Sequence, residues 1–500
     1  MNKKFAVCFF TFISIITFTF NCSNPVEKND DSSEKIIVTE IMYNHGSDSL
    51  EFLEIKNVST VNISLEGAYF SEGIQYSFPN SASIRPGEYQ VLTNSRELFE
   101  KNYPGIKISG VYTGNLNNSG ESIKLEIGGK KLFNIEYKDN GFWPALADGN
   151  GFSLVTIDEN DPGDQNDHND WLASKAPGGS PGKADKAVVP IPVYVNEVVV
   201  SGMTDRVDNV ELYNPSGSKS IDISNWFLTD NPKAPKKYRI PAGTVMSPNS
   251  FKSFTADQFK NDIAVSINGG SIYLFSANAD GTLTGFSHGL EYEDGSIGTS
   301  YGLKQNSDLH YYTCRFKQTT IGSENSEPAS GELVISEIMY NPSSNGTEYL
   351  EIVNLTDSTI KLESDDIPWK VEGLSFEFPR GTEIKDKGIV LLVNYMISID
   401  AFRKQKQIDS TVAIFQYTGN LSNSGETITI KKPGKIWADS NGLSHFSYVT
   451  VDAVSYSDNE PWPQDADGKG YSLVRKRNDL WGNEPKNWRL SESGGSPGRN

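Results

Sequence analysis

Apolar and polar residues alternate along much of this chain in short runs, the period of two that a strand with one buried face requires. In LEFLEIKN (50–57), Leu53 and Ile55 fall on one face while Phe52, Glu54 and Lys56 fall on the other. The same alternation returns with Val210 and Leu212 around Glu211, and with Leu350 and Ile352 around Glu351. A slip of one residue would turn the apolar face to water, so three runs that agree fix the register. Between runs stand turn residues: NNSGES (117–122), NSGET (423–427), Asp148-Gly149 and Asp467-Gly468 each deliver the next strand. Helical periodicity is almost absent, and only 95–103 and 398–406 predict a short helix each.

These runs belong to a longer repeat. YTGNLNNSGESIKL (112–125) recurs as YTGNLSNSGETITI (417–430), VTEIMYN (38–44) as ISEIMYN (335–341), and WPALADGNGFSLV from Trp143 as WPQDADGKGYSLV from Trp462. Each copy closes with a Trp, Trp171 or Trp488, followed shortly by GGSPG. A diverged copy lies between them, with VNEVVV (195–200), DNVELYN (208–214), INGGSIYL (267–274) and EDGSIGTSYGL (293–303), but without the WP pair, the full YTGN phrase or the GGSPG close. The chain therefore divides into three units, 36–184, 185–328 and 329–500. Strands and turn signals at this spacing, with no disulfide, predict an all-β chain of antiparallel sandwiches.

Composition agrees with that division. A chain of 500 residues is too long for one core, and 44 Gly and 24 Pro suit short strands joined by tight turns. The 64 acidic against 45 basic residues give a formal net charge of −19. Such a field repels phosphate backbones, no local basic patch offsets it, and no nucleic-acid partner is expected. The densest basic run, Arg403, Lys404 and Lys406, reads as a solvated face.

The N-terminus reads as an address. Lys3 and Lys4 precede an apolar stretch, 5–20, that is shorter than a spanning helix needs, and Cys22 follows in FTFNC. Residues 1–21 look like an export signal ending at a lipoprotein cleavage site, with Cys22 as the lipidated first mature residue. Thr19 and Asn21 replace the Leu and small residue of the usual bacterial lipobox, so plain secretion and an uncleaved anchor stay open. Residues 22–35 are polar, free of aromatics and suited to a flexible tether. The expected location is a bacterial outer membrane or cell surface, otherwise the medium. With Cys8 in the signal and Cys22 acylated, only Cys314 remains, read as a small buried residue.

The [VI]xEIMYN opening, the E[FY]LEIxN strand, the YTGNLxNSGExI phrase, WPxxxDGxGxSLV and the W…GGSPG close resemble the bacterial version of the lamin tail domain, in three tandem copies. The resemblance implies tandem immunoglobulin-like β-sandwiches. It also implies a module that binds or anchors rather than catalyses, with a polysaccharide or an envelope or extracellular protein as partner. A purely structural spacer and a secreted hydrolase with a Ca²⁺-dependent site are the alternatives.

Candidate chemistry is sparse. Gly285–Gly289 matches GxSxG, with Asp294 and His310 downstream, but a nucleophile elbow needs a strand-to-helix turn that this run of strands does not offer, so Ser287 is not taken as catalytic. Five scattered histidines, His45, His168, His288, His310 and His445, have no zinc-ligand spacing. The acidic stretch 158–170 fails the EF-hand register, with Pro162 at the fifth place and Asn169 at the twelfth. Three carboxylates recur in every unit: Glu40, Glu51 and Glu54; Glu197, Asp208 and Glu211; Glu337, Glu348 and Glu351. Converging on one surface, they would either hold a cation such as Ca²⁺ or bond backbone donors and fasten loops. No other cofactor is expected. Trp143, Trp462, Tyr69, Trp369 and Trp437 are either packing residues or platforms for sugar rings.

Overall fold

In a computed structural model, the described residues are 35–46, 49–185, 193–200, 208–260, 262–294, 298–344, 346–438 and 442–499. The export signal, Cys22 and all of the tether but Lys35 lie outside them. No described helix is long and apolar enough to cross a membrane.

Each unit is two packed sheets. In the first, six strands run in the order Trp171–Ala173, Leu154–Thr156, Ile36–Met42, Phe52–Asn57, Tyr89–Thr93, Gly110–Val111, facing a smaller sheet of Ala68–Glu72, Gly120–Ile127 and Lys130–Lys138. The third unit repeats this plan around Leu333–Met339 and Tyr349–Asn354. The middle unit keeps five strands in its larger sheet, with Tyr194–Val200 at the centre and Tyr311–Arg315 on one edge. Among the described residues, all pairings between strands but two are antiparallel: Gly110–Val111 and Ala413–Tyr417 join the outer units' larger sheets in parallel, because each arrives by a crossover through a short helix.

The apolar face of the alternating runs forms the cores. Val38, Ile41, Leu53 and Ile55 pack on Ile123, Leu125 and Ile135. Val198, Val210 and Leu212 pack on Ile272, Leu274 and Leu290, and Ile338, Leu350 and Ile352 on Ile428, Ile430 and Val454. Trp143, Trp369 and Trp462 are buried, at 8%, 4% and 3% exposure, and so serve packing; only Tyr69 of the expected platforms is exposed, with Trp437 half-buried.

The opposite face is covered too, where alternation alone predicts water. Phe52 and Tyr349 are fully buried under the helices Arg96–Asn102 and Ile399–Lys406, which sit where sequence places them and are capped by Ser95 and Ser398. Phe99 and Phe402 are the buried anchors of these helices. A third short helix, Ala256–Phe259, anchors instead in the middle unit's main core, where Phe259 meets Tyr238 edge to face at 5.1 Å, and its four residues are too few to leave a periodic signal.

Candidate functional site

A β-bulge at the same place in every first strand builds the site. Register shifts between Val38 and Glu40, Val195 and Glu197, and Ile335 and Glu337, so Val38 and Ile41 both reach the core although three positions apart. The extra residue turns the first-strand glutamate to the opposite face, directly across from the second-strand glutamate: Glu40 with Glu54, Glu197 with Glu211, Glu337 with Glu351. All six are buried, at 2% exposure or less.

Side by side and out of water, two carboxylates would be prohibitive without donors, and the closing turn of the unit supplies them. The amides of Ser180 and Gly182 in GGSPG donate to Glu40 and Glu54, at 2.9 Å and 2.5 Å. Ser496 and Gly498 repeat this on Glu337 and Glu351, at 2.8 Å and 2.7 Å. The hydroxyls of Ser153 and Ser472, the Ser of the FSLV and YSLV strands, also donate to Glu40 and Glu337. The bulged residue donates to the second glutamate: Thr39 to Glu54 at 2.7 Å, Ser336 to Glu351 at 2.7 Å and Asn196 to Glu211 at 2.9 Å. In the middle unit the amides of Thr320 and Gly322 take the part of GGSPG, on Glu197 at 3.1 Å and Glu211 at 2.5 Å. The clasp is therefore present where its expected letters are absent.

Burial pushes the second-strand carboxyls upward: Glu54, Glu211 and Glu351 each reach about 7. Burial and, after it, the neighbouring Glu54 raise Glu40 well above the carboxylate range, and burial raises Glu197.

The third recurring carboxylate does not join the pair. Glu51 and Glu54 are three apart on a strand and face opposite ways, so Glu40, Glu51 and Glu54 split, as do Glu337, Glu348 and Glu351. Glu51 instead receives the YTGN phrase, accepting from the Leu116 amide at 2.8 Å and the Tyr112 hydroxyl at 3.2 Å. Glu348 receives Leu421 at 3.0 Å and Tyr417 at 3.1 Å in the same way. Asp208 holds this place in the middle unit, half-buried, where the chain lacks the phrase. Among the described residues, no group of three His, Cys, Asp or Glu is placed to hold a metal ion.

Other repeated letters are fastenings as well. Asn44 donates to Asp148 and Asn341 to Asp467, both at 2.6 Å, tying MYN to the Asp-Gly turn. Asn57, Asn214 and Asn354, at the ends of the second strands, each donate to carbonyls of two facing loops.

Ser287 stands in the middle of the strand Leu283–Asp294, opposite Phe275, with no strand-to-helix turn. In the acidic stretch, Asp158 and Asp164 accept local amides, and Gln165 bonds both the amide and the carbonyl of Val38. Cys314 is half-buried and free, and burial pushes its thiol up.

Sequence reasoning missed what the units build between them. Ala145, Leu146 and Phe152 of the first unit pack on Phe227, Tyr273 and Phe275 of the second. Beside them His168 and His288 meet around Phe142, with ring centroids 5.2 and 5.8 Å from it. Burial lowers both histidines, His288 to about 3, and Val195 donates its amide to His288 Nδ1. Between the second and third units, Glu293 accepts from the Thr450 amide and hydroxyl and from Lys431, while Asp294 accepts the Lys435 amide. Ala145, Leu146 and Phe152 lie in WPALADGNGFSLV and Glu293 and Asp294 in EDGSIGTSYGL, but the partners they meet belong to another unit and leave no local pattern.

Three immunoglobulin-like β-sandwiches, each shut by a turn that docks on a buried glutamate pair, define the class. The chain belongs to the lamin tail domain family: the Lamin Tail Domain model matches residues 29–139, 189–291 and 326–457, more than half of the chain. No curated protein and no solved structure matched it.

Proposed function

We propose that this chain is an exported, non-catalytic binding and scaffold protein, held at a bacterial outer membrane or cell surface through a lipid on Cys22. Its three modules would engage a polysaccharide or an envelope or extracellular protein. One observation carries this reading: the carboxylates that every module keeps are occupied by its own amides and hydroxyls, so what recurs is a fastening rather than a reactive centre. Modules that hold their shape in this way serve as platforms, and several on one chain gain avidity for a repetitive partner.

The contacts at Glu293 and Asp294 favour a second reading, a rigid spacer, since they lock two modules together without needing a ligand.

Mass spectrometry of the protein from its native membrane, with detergent partitioning, tests the anchor. A diacyl- or triacylglyceryl adduct on Cys22 is expected, with the chain in the detergent phase. An unlipidated mature chain in the medium would overturn the surface location and redirect the search to soluble partners.

A further inference from the structure

All three modules line a cleft of about 750 Å³ at their junction, within the range of small-ligand sites, with walls from Phe142, from the strand Tyr311–Arg315 and from the strand Ser444–Ser457. Its walls are fixed by contacts between the second and third modules: Asn306 donates to the Asn483 carbonyl at 2.9 Å, and Ser307 to Glu484 at 3.0 Å.

Charge in the cleft is nearly balanced by internal pairing. Asp452 is bound by Arg475 at 2.5 Å, Glu293 by Lys431 and Thr450, and Glu372 by Lys370 at 2.8 Å. Glu291 accepts from the Gly141 amide and the Tyr273 hydroxyl. Arg315 lines the same cleft, and its guanidinium has no hydrogen bond or ion pair to any described residue. A planar fork without an acceptor, in an otherwise strongly acidic protein, suits a carboxylate taken bidentately. Tyr312, three places before Arg315 on the same unbroken strand, faces the other way; its half-buried ring meets that of Trp481 edge to face at 5.8 Å on the same cleft, where the Thr427 hydroxyl pairs with Ser455. Aromatic faces beside hydroxyls suit a sugar ring, which is apolar on its faces and polar at its edge.

An extended peptide fits less well. The edge amides of Thr450 and Ser455 already donate to Glu293 and Asn483, and the Arg315 carbonyl accepts from Ala329, so strand addition finds these groups occupied. The net charge of −19 also disfavours a densely anionic polymer.

We infer that the three-module cleft binds a mostly neutral glycan through one uronic acid, with the carboxylate on Arg315 and a neighbouring sugar of the same chain against Tyr312 and Trp481. The inference deepens the binding-module reading and rests on it.

Calorimetric titration of the detergent-solubilised full chain tests it, using a tetrasaccharide that alternates N-acetylglucosamine with glucuronate and the all-N-acetylglucosamine tetrasaccharide. The uronate sugar is expected to bind about tenfold or more tightly than the neutral one. Arg315→Gln should erase that preference at an unchanged melting temperature, and Trp481→Ala should weaken both sugars. Equal affinity for the two sugars, a preference that survives Arg315→Gln, or equally tight binding of an acidic Glu-Gly repeat peptide would overturn the assignment. If neither sugar binds while the full chain still captures an envelope polymer, and Arg315→Gln captures it equally, the cleft assignment falls and the binding-module reading stands.

Discussion

The outer modules and the middle one reach the same clasp by different means. In the first and third, GGSPG lays two amides on the glutamate pair; in the middle, Thr320 and Gly322 do so from a turn with no such spelling. The second latch behaves otherwise. Glu51 and Glu348 hold the YTGN phrase, and Glu121 and Glu426 hold Tyr137 and Tyr456 above it, whereas the middle module has Gly270 opposite Tyr292, whose hydroxyl accepts the Ser266 amide. The clasp is thus the part a module cannot shed, while the latch is dispensable. Gly270 lies on the wall of the junction cleft, so a residue lost from the latch leaves room where the three modules meet.

Breaking the clasp should have the largest effect, and it should rank the modules. Glu337 accepts from the Ser496 amide, the Ser496 and Ser472 hydroxyls and the Tyr349 hydroxyl; Phe52 stands where Tyr349 does, so Glu40 has one donor fewer. Each buried donor left without an acceptor costs about 1–3 kcal/mol. Glu337→Ala should therefore destabilise the third module by roughly 4 kcal/mol and Glu197→Ala the middle one by roughly 2 kcal/mol, read from urea unfolding followed module by module. Losses under about 0.5 kcal/mol for both, as at an ordinary surface site, would remove the clasp from the account.

Lowering the pH probes what the modules share. Glu54, Glu211 and Glu351 titrate near 7 when folded and near the ordinary glutamate value when unfolded, so the folded state binds more protons between those limits. Their contribution is full below about 4.5 and is lost as pH rises through about 7. Stability should fall from pH 5 to pH 8 by on the order of 2 kcal/mol per module. Glu211→Gln should flatten this slope in the middle module alone, and a slope that survives the substitution would assign the proton elsewhere.

The fold was legible because alternation, turn residues and three agreeing copies carry the sandwich directly. The clasp was half legible: the recurring glutamates stood out, but their convergence as one set of three did not survive the strand geometry. Val38 and Ile41, Val198 and Val195, and Ile335 and Ile338 are core pairs three apart, a spacing that an unbroken strand forbids and that marks the bulge. The residue between, Thr39, Asn196 or Ser336, is a side-chain donor each time. Those two signals together locate the glutamate pair. The junction cleft left no such trace, because Arg315, Trp481 and Phe142 come from three different modules.

The latch sharpens the contrast at a smaller scale. Glu348→Gln keeps an acceptor oxygen for the Leu421 amide, the Tyr417 hydroxyl and the Asn394 amide group, which all reach Oε2, but removes the charge that strengthens these three bonds. A loss of about 1–2 kcal/mol is expected in the third module, with faster hydrogen exchange at Leu421. Tyr292→Phe in the middle module, which removes the acceptor of the Ser266 amide, should cost less, and an equal loss there would erase the distinction between clasp and latch.

The contact at Glu293 is the smallest of these tests, and it concerns what the middle module does instead of holding a latch. Its side chain is 30% exposed, so the ion pair to Lys431 at 3.2 Å is partly screened, and the Thr450 amide and hydroxyl contribute most of what it holds. Glu293→Gln leaves an oxygen for one of those donors and removes the charge. The intrinsic stability of each module should stay within about 0.5 kcal/mol, because neither core is touched. The coupling between modules should weaken by about 1 kcal/mol, visible as a wider separation of the second and third modules' unfolding midpoints. Raising the salt concentration should reproduce only the smaller, ionic share of that loss. A variant whose midpoints shift together would place Glu293 inside a single module's stability, and the junction would then be held by Asp294, Asn306 and Ser307 alone.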